Sequence, residues 1–371
     1  MRGHIRKRGN YYSVVLYLGK DENGKKKYKW IGGFKTKKEA EKVLAEMINK
    51  VETNNFIFPE KITLKEFLNY WLENYVRPNL SPTTAYGYEA IINLHIIPFF
   101  KNIELQKVRP IDIQQYYNSK RDELSGKTLL QHHRILHKAF DFAMKLQLIP
   151  NNPIDFVDSP KAKKYKAKIL DLKEIKTLLN ALKDTDLEVP INLALSLGLR
   201  RGELLALKWE DVNWEEGTIQ IRRNLVRAGT KLILKEPKSE TSIRTLKLSK
   251  TLLTMLKNHR KKQIELKLML GNEYKDTGFI CCKNNGEMIN PSTFSHQFSD
   301  FLKKHGLPDI RLHDLRHTNA TLMLKSNIPA KIASSRLGHS TVAITLDLYS
   351  HVLTDMDEEV ANKIDDIIYQ K

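Results

Sequence analysis

The pattern of apolar and polar positions changes character twice along the chain. In the first 55 residues, β-branched and aromatic side chains are concentrated at 11–18 and 27–34, on either side of Asn23 and Gly24. An Asn-Gly pair between two such runs is a strong hairpin signal. Apolar residues then recur at helical spacing between 40 and 51. Residues 1–55 are therefore predicted to form a small β-sheet with one helix.

From residue 62 to residue 157 the apolar positions follow helical periodicity. One apolar stripe runs from Leu64 to Tyr75, and Ser81 followed by Pro82 predicts the N-cap and first position of the next helix. A third helix is expected over 105–120 and a fourth from Ser125 onward. These stripes predict a helical domain whose apolar residues form its core.

Residues 158–168 contain lysines with almost no apolar residues between them. Such a composition is typical of an extended basic linker. Two interpretations remain open for it, a disordered tether between domains or a strap that lies along DNA phosphates.

Residues 169–371 are predicted to be mainly helical, with one small antiparallel sheet. Strands are expected at 218–226, 232–235 and 243–248, with Lys238 in the turn between the last two. Helices follow at about 250–270, 292–305, 313–326, 329–337 and 340–349, and residues 354–371 predict a short amphipathic tail helix. The expected fold class is multidomain α+β. Solvated surface is the expected position for each of three arginines, with contact to backbone phosphates as the open alternative: Arg223, Arg227 and Arg244.

The charge balance favours a polyanionic partner. The 371 residues carry a formal net charge of +19, and a basic excess of this size promotes binding to nucleic acid by counterion release. Cys281 and Cys282 are adjacent, which disfavours an intrachain disulfide and excludes a thiolate metal cage. Neither a secretory signal nor an 18-residue apolar window is present, so a cytoplasmic, nucleoid-associated protein is expected.

Six side chains in the second half of the chain suit the attack on a phosphodiester without a metal ion. Arginines clamp non-bridging oxygens and offset the charge that builds on phosphorus. Histidines transfer protons near neutral pH, and a tyrosine can hold the phosphate covalently. Each motif alone is weak evidence, but their order and separation are not expected by chance. The six are Arg200, Lys238, His313, Arg316, His339 and Tyr349.

These motifs closely resemble those of the tyrosine recombinases, the integrase family of phages and conjugative transposons. The motifs are Gly-Leu-Arg-Arg-Gly-Glu, a hairpin lysine, His-Asp-Leu-Arg-His, Leu-Gly-His and Leu-Tyr-Ser-His. The resemblance implies an arm-type DNA-binding domain at 1–55, a helical core-site DNA-binding domain at 62–157, the linker at 158–168 and a catalytic domain at 169–371. The match selects Arg200 over Arg201 by register only, and position in the turn favours Lys238 over Lys235.

The resemblance also implies what each residue does. Arg200 and Arg316 would grip the scissile phosphate, Lys238 would protonate the leaving 5′ oxygen, and Tyr349 would form a 3′-phosphotyrosyl intermediate. His313 would help to remove the tyrosine proton, and His339 would bind a phosphate oxygen. Neither a metal ion nor ATP is then needed. Glu203, His317 and His351 would support the site.

The expected function is therefore site-specific recombination that integrates and excises a mobile element. Two alternatives stay open, a non-catalytic DNA-binding regulator on the same scaffold and a strand-cleaving enzyme like the type IB topoisomerases. The resemblance implies a homotetramer on double-stranded DNA with core-type and arm-type sites, and it implies an excisionase and a DNA-bending accessory partner. The residues expected to contact DNA outside the catalytic site are Arg6, Lys7, Arg8, Lys27, Lys29, Lys161, Lys163 and Lys164.

Overall fold

A computed structural model of the chain describes residues 3–20, 26–52, 62–163, 167–235, 243–339, 341–343, 346 and 364–369. The chain divides into two compact units, Met1–Lys164 and Tyr165–Lys371. Among the described residues, no helix is both long and apolar enough to cross a membrane.

The N-terminal segment forms the predicted sheet and helix. Three antiparallel strands lie in the order β1 (Gly3–Arg8), β2 (Tyr11–Lys20) and β3 (Lys26–Phe34), and α1 (Lys37–Glu52) follows. The buried side chains of Val14 and Ala40 form the centre of a small core between the sheet and the helix. Asn23 and Gly24, which predict the hairpin turn, lie outside the described residues.

The rest of the first unit is a helical bundle. Its helices are α2 (Leu64–Trp71), α3 (Arg77–Asn79), α4 (Pro82–Ile91), α5 (Ile97–Phe100), α6 (Pro110–Lys120) and α7 (Gly126–Lys145). Side-chain caps start three of these helices, because the hydroxyls of Thr63, Ser81 and Ser125 each accept a hydrogen bond from a backbone N–H in the first turn. The predicted starts at Ser81 and Ser125 are therefore confirmed.

Two features of the bundle differ from the sequence prediction. The third helix does not run through 105–120, because a short 3₁₀ turn, Leu105–Lys107, comes first and the α-helix begins at Pro110. Proline suits that first position because its missing N–H has no helical partner there. In addition, π-helical turns at Leu72–Val76 and Ile92–Ile96 extend α2 and α4.

The second unit contains seven α-helices among its described residues between 172 and 337, together with a split sheet. Its helices are α8 (Leu172–Ala181), α9 (Glu188–Leu197), α10 (Arg201–Leu204), α11 (Lys250–Leu270), α12 (Pro291–Lys304), α13 (Leu312–Lys325) and α14 (Ala330–Leu337). Its strands are β4 (Val212–Asn213), β5 (Thr218–Ile221), β6 (Asn224–Ala228), β7 (Lys231–Lys235) and β8 (Arg244–Lys247). Helix α13 is central, since most of its side chains are buried and it packs against α9 and α14. The predicted helix at 340–349 and the tail from residue 354 lie largely outside the described residues.

The prediction of one continuous strand at 218–226 is wrong. The chain leaves β5 at Arg222, so that β5 pairs with β4 and β8 while β6 forms a separate hairpin with β7. The break lets Arg222 and Arg223 turn toward Asp211, which accepts hydrogen bonds of 2.7 Å from both guanidiniums. Because the Asp211 side chain is almost fully buried, its charge needs such partners. The assignment of Arg223 to solvated surface is therefore also wrong.

Replacement of Leu136 by alanine tests the core of the helical bundle. Leu136 on α7 is fully buried, so we expect Leu136→Ala to lower the free energy of unfolding of the bundle by about 2–5 kcal/mol. Gln131→Ala on the exposed face of the same helix should change it by less than about 0.5 kcal/mol. Hydrogen exchange with mass spectrometry in a urea series, read on peptides from 64–145, measures the bundle separately. Equal effects of the two changes would contradict this core assignment.

Candidate active site

Arg200 is held at the junction between two helices. Helix α9 ends at Gly198, which adopts a left-handed conformation with φ of 63°, and Arg200 is the N-cap of α10. Its Nη1 donates to Glu203 Oε1 at 2.7 Å, and its Nη2 donates to the carbonyl of Gly338 at 2.8 Å. The neighbouring Arg201 instead donates to Ser295 on α12. The two arginines therefore point to different places, and it is Arg200 that reaches the segment carrying His339.

Arg316 approaches the same junction from α13. Its side chain is buried, and its Nη1 donates to the carbonyl of Gly198 at 2.7 Å. The left-handed turn at Gly198 presents that carbonyl to the arginine, and a Cβ at position 198 would lie 2.5 Å from Leu337 and 2.7 Å from Asn319. Close packing of α9 against α13 and α14 thus requires glycine at this position.

Two histidines complete the described part of the cluster. His313 lies in the first turn of α13, with its ring centroid 4.8 Å from that of His317. His339 follows Gly338, the left-handed residue that ends α14. Burial, reinforced by the nearby positive charge of Arg316, lowers the pKa of both His313 and His339 to about 4. Arg200, which donates to the carbonyl of the preceding Gly338, lowers the pKa of His339 further.

Glu203 and Arg244 support this cluster. The buried Glu203 carboxylate accepts from Arg200 Nη1 at Oε1 (2.7 Å) and from Arg244 Nη2 at Oε2 (2.8 Å). The backbone N–H of Arg200 also donates to Oε2, at 3.0 Å. Burial raises the pKa of Glu203, but the two arginines outweigh it and hold that pKa below its usual value. The assignment of Arg244 to solvated surface is wrong, because only 7% of its side chain is exposed. Alternation along β8 carried the missed signal, since Arg244 shares a face with the buried Leu246.

Two of the six predicted catalytic residues lie outside the part of the chain that the structure describes. Lys238 belongs to the segment between β7 and β8, and Tyr349 follows the last described residue of 341–346. Their assignments stay predictions.

The predicted DNA-contacting residues are spread over both ends of the first unit. Arg6, Lys7 and Arg8 are exposed on β1, and the guanidiniums of Arg6 and Arg8 lie 5.7 and 5.2 Å from the ring centre of Trp30. The half-exposed indole and the two cations form one face of the sheet, a combination that suits stacking and phosphate contact.

The remaining predicted contacts are less informative. Lys27 and Lys29 lie in β3, but their side chains are outside the description, as is Lys164. Lys161 and Lys163 are exposed. The backbone at Lys161 runs close to the start of α7, because a Cβ at Gly126 would lie 2.2 Å from the Lys161 carbonyl. The linker is therefore packed on the bundle at this point rather than being a free tether from residue 158.

Comparison with known proteins identifies the family. Residues 168–356 match the model of the phage integrase family, residues 63–121 match the phage integrase N-terminal SAM-like domain, and residues 4–51 match an arm DNA-binding domain. The chain is 31% identical over 388 residues to a tyrosine recombinase XerC-like protein of Caldanaerobacter subterraneus subsp. tengcongensis, with 98% of each chain covered. The chain belongs to the phage integrase family of tyrosine recombinases. It is a DNA strand-exchange enzyme, and neither a regulator nor a topoisomerase is favoured.

Other relatives of this recombinase come from mobile elements. It is 28% identical to the ICEBs1 integrase of Bacillus subtilis over 79% of both chains. Its fold is similar to that of the Tn1549 transposon integrase in complex with a circular intermediate DNA, with a TM-score of 0.68, 20% identity and coverage of 80% of this chain and 99% of the other. A lambda integrase tetramer bound to a Holliday junction gives a TM-score of 0.59 at 19% identity, covering 92% of this chain and 96% of the other. The mainly helical architecture with two small sheet regions is therefore that of the integrases.

Replacement of Gly198 by alanine tests the close packing beneath Arg316. We expect Gly198→Ala to lower the melting temperature markedly, because a Cβ there adds a clash with Leu337 to the strain of a positive φ. Gly306→Ala is the matched control, since Gly306 has a similar φ of 60° and nothing lies within 4 Å of its Cβ position. In the control, the free energy of unfolding should fall by only about 1 kcal/mol, the strain of an alanine at positive φ. Thermal unfolding of both variants measures the difference, and equal shifts would show that packing at Gly198 is unimportant.

The lowered histidine pKa values predict the protonation state of the free enzyme. His313 and His339 should remain neutral from pH 8 down to about pH 5, because the pKa of each is about 4 against an ordinary value of about 6.5. A pKa lowered on folding contributes stability that is complete above about pH 6.5 and is lost as the pH falls toward 4. NMR titration of ¹⁵N-labelled histidine in the free protein, assigned with His313→Asn and His339→Asn, measures both midpoints. Midpoints near 6.5 would contradict the burial of these rings.

Proposed function

We propose that this recombinase is the integrase of a phage or conjugative transposon and that it integrates and excises the element by cutting and rejoining DNA. The observation that carries the proposal is the convergence of Arg200 and Arg316 with His313 and His339 at the Gly198 turn. Two guanidiniums and two neutral imidazoles in one cluster suit a phosphodiester that gains negative charge in its transition state. The mobile-element relatives support the same function.

In the proposed reaction, Tyr349 Oη attacks the scissile phosphorus. A P–O bond forms to the tyrosine, the bond from phosphorus to the 5′ oxygen breaks, and Lys238 gives a proton to that oxygen. The products are a 3′-phosphotyrosyl enzyme and a 5′ hydroxyl, and a 5′ hydroxyl from a partner duplex reverses the step on a new strand. The phosphodiester energy stays in the protein–DNA bond, so the reaction requires no ATP.

The electrostatics of the described residues suit this chemistry. Tyrosine has an ordinary pKa of about 10, so at neutral pH it needs a proton acceptor and a positive field. A neutral His313 can accept that proton, whereas an imidazolium could not. Arg200 and Arg316 provide the field and contact the non-bridging oxygens.

The larger assembly follows from the same proposal. The arm-type domain at 1–55 and the core-type domain at 62–157 would bind two kinds of DNA site, with Arg6, Arg8 and Trp30 at the arm site. Four copies would hold two duplexes, as the lambda integrase tetramer does on a Holliday junction. We include an excisionase and a DNA-bending protein as accessory partners, and we place the reaction on the nucleoid in the cytoplasm.

A covalent trap tests the proposed reaction. Nicked duplexes tiled across the joined ends of the element would be mixed with the full chain, and a denaturant-resistant, protease-sensitive adduct would be scored. We expect an adduct with the wild-type chain, none with Tyr349→Phe, and an unchanged amount with Tyr369→Phe, a matched change at an exposed tyrosine of the tail. Arg316→Lys should slow the adduct by about 100-fold or more, because the bidentate fork is lost.

The outcomes separate the alternatives. Binding of the tiled duplexes without any adduct would contradict the recombinase reaction and favour a regulator. An adduct that survives Tyr349→Phe would assign the nucleophile to another residue.

A further inference from the structure

Arg244 is outside the motifs that carry the family resemblance, and it contacts Glu203, which also binds Arg200 of the proposed phosphate clamp. It is the first residue of β8, and its side chain is almost fully buried. Its Nη2 donates to Glu203 Oε2 at 2.8 Å, and its Nε donates to the carbonyl of Arg336 at 2.8 Å. One guanidinium thus joins the sheet to the start of α10 and to the end of α14.

The contacts of Arg244 and Arg200 form a closed ring, in which both arginines bind Glu203 and both donate to the end of α14. Glu203 binds Arg244 through Oε2 and Arg200 through Oε1, and Arg200 in turn donates to the carbonyl of Gly338. Gly338 lies two residues after Arg336, so both arginines grip the same helix end. The fit is close, because a Cβ at Gly338 would lie 2.9 Å from Nη1 of Arg244. His339 is attached directly to this helix end.

The charge count of the ring explains why a second arginine matters. Glu203 paired with Arg200 alone would be neutral overall, and a neutral pair attracts a phosphate weakly. With Arg244 the three side chains carry a net charge of +1. Only 7% of Arg244 and 8% of Glu203 are exposed, so solvent screens this charge poorly. Arg244 thus supplies a second positive charge to the carboxylate that Arg200 also binds.

We propose that Arg244 is a positioning residue for DNA strand cleavage, which shares the Glu203 carboxylate and holds the end of α14 so that Arg200 keeps its orientation and its charge toward the scissile phosphate. The proposal rests on the proposed role of Arg200. It assigns to Arg244 no contact with DNA, which distinguishes it from the arginines of the clamp.

Single-turnover kinetics test the proposal. On the nicked core duplex, with enzyme in excess, Arg244→Gln should reduce the rate of adduct formation by about 10- to 100-fold, the usual effect of removing a hydrogen-bond partner behind an active group. Binding of the duplex should be unchanged. Arg244→Lys should recover part of the rate, because an ammonium keeps the charge but cannot reach both Glu203 and the Arg336 carbonyl. Lys247→Gln on the same strand, where the Lys247 ammonium donates to the Glu216 carbonyl at 2.8 Å, should retain the wild-type rate.

A double-mutant cycle distinguishes positioning from general damage. If Arg244 acts through the shared carboxylate, Glu203→Gln combined with Arg244→Gln should slow cleavage by less than the product of the two single effects. The proposal would be overturned if the double variant were slowed by the full product of the two single effects. It would also be overturned by a wild-type rate in Arg244→Gln or by no recovery of the rate in Arg244→Lys.

An activity-independent measurement separates this proposal from the proposed function. In ¹⁵N spectra of arginine side chains of the full chain, the Nε–H signal of Arg200, identified by its loss in Arg200→Lys, should be sharp and well dispersed. In Arg244→Gln it should broaden or move toward the position of exposed arginines. An unchanged Arg200 signal would overturn the positioning role even if the wild-type chain forms no adduct. Conversely, if the Arg200 signal shifts in Arg244→Gln while the wild-type chain forms no adduct, the positioning role is supported and only the proposed recombinase reaction is contradicted.

Discussion

A buried carboxylate organises the catalytic domain. Glu203 cannot remain charged at its buried position without partners, and it takes one arginine from its own helix start and one from the sheet. Each of those arginines also donates to a carbonyl near the end of α14. One desolvated charge therefore links α10, β8 and α14, and it orients Arg200, the residue that we propose binds the scissile phosphate.

The second arginine of the proposed clamp is held by a backbone carbonyl. Arg316 donates to the carbonyl of Gly198, which is available because α9 ends there in a left-handed turn. An orphaned helix carbonyl thus serves as the acceptor for a buried guanidinium. Burial, together with the nearby positive charge of Arg316, lowers the pKa of His313 and His339 to about 4 and so favours their neutral forms. The two proposed roles, binding of a phosphate by Arg316 and acceptance of a proton by a neutral imidazole, are therefore compatible within one site.

The local signals of the sequence were reliable where a side chain acts on its own helix. The caps at Ser81 and Ser125 appear in the structure at the expected positions. Sequence periodicity failed to predict the backbone path where a residue distant in sequence determines it. The strand at 218–226 is divided because two arginines turn toward the buried Asp211, and periodicity over nine residues contains no trace of that acid.

The sequence alone determined the family and the mainly helical fold with small sheets, because motif order and the spacing of apolar positions are properties of the chain itself. The three domains and the six catalytic residues stay predictions. Only the tertiary structure decided between Arg200 and Arg201 as the residue that faces His339, since two adjacent residues differ in direction and not in spacing. It also decided that Arg244 is internal. The reason is physical: the stability of a buried charge depends on partners far apart in sequence, here 41 residues between Arg244 and Glu203, and a linear pattern does not record which distant groups will meet.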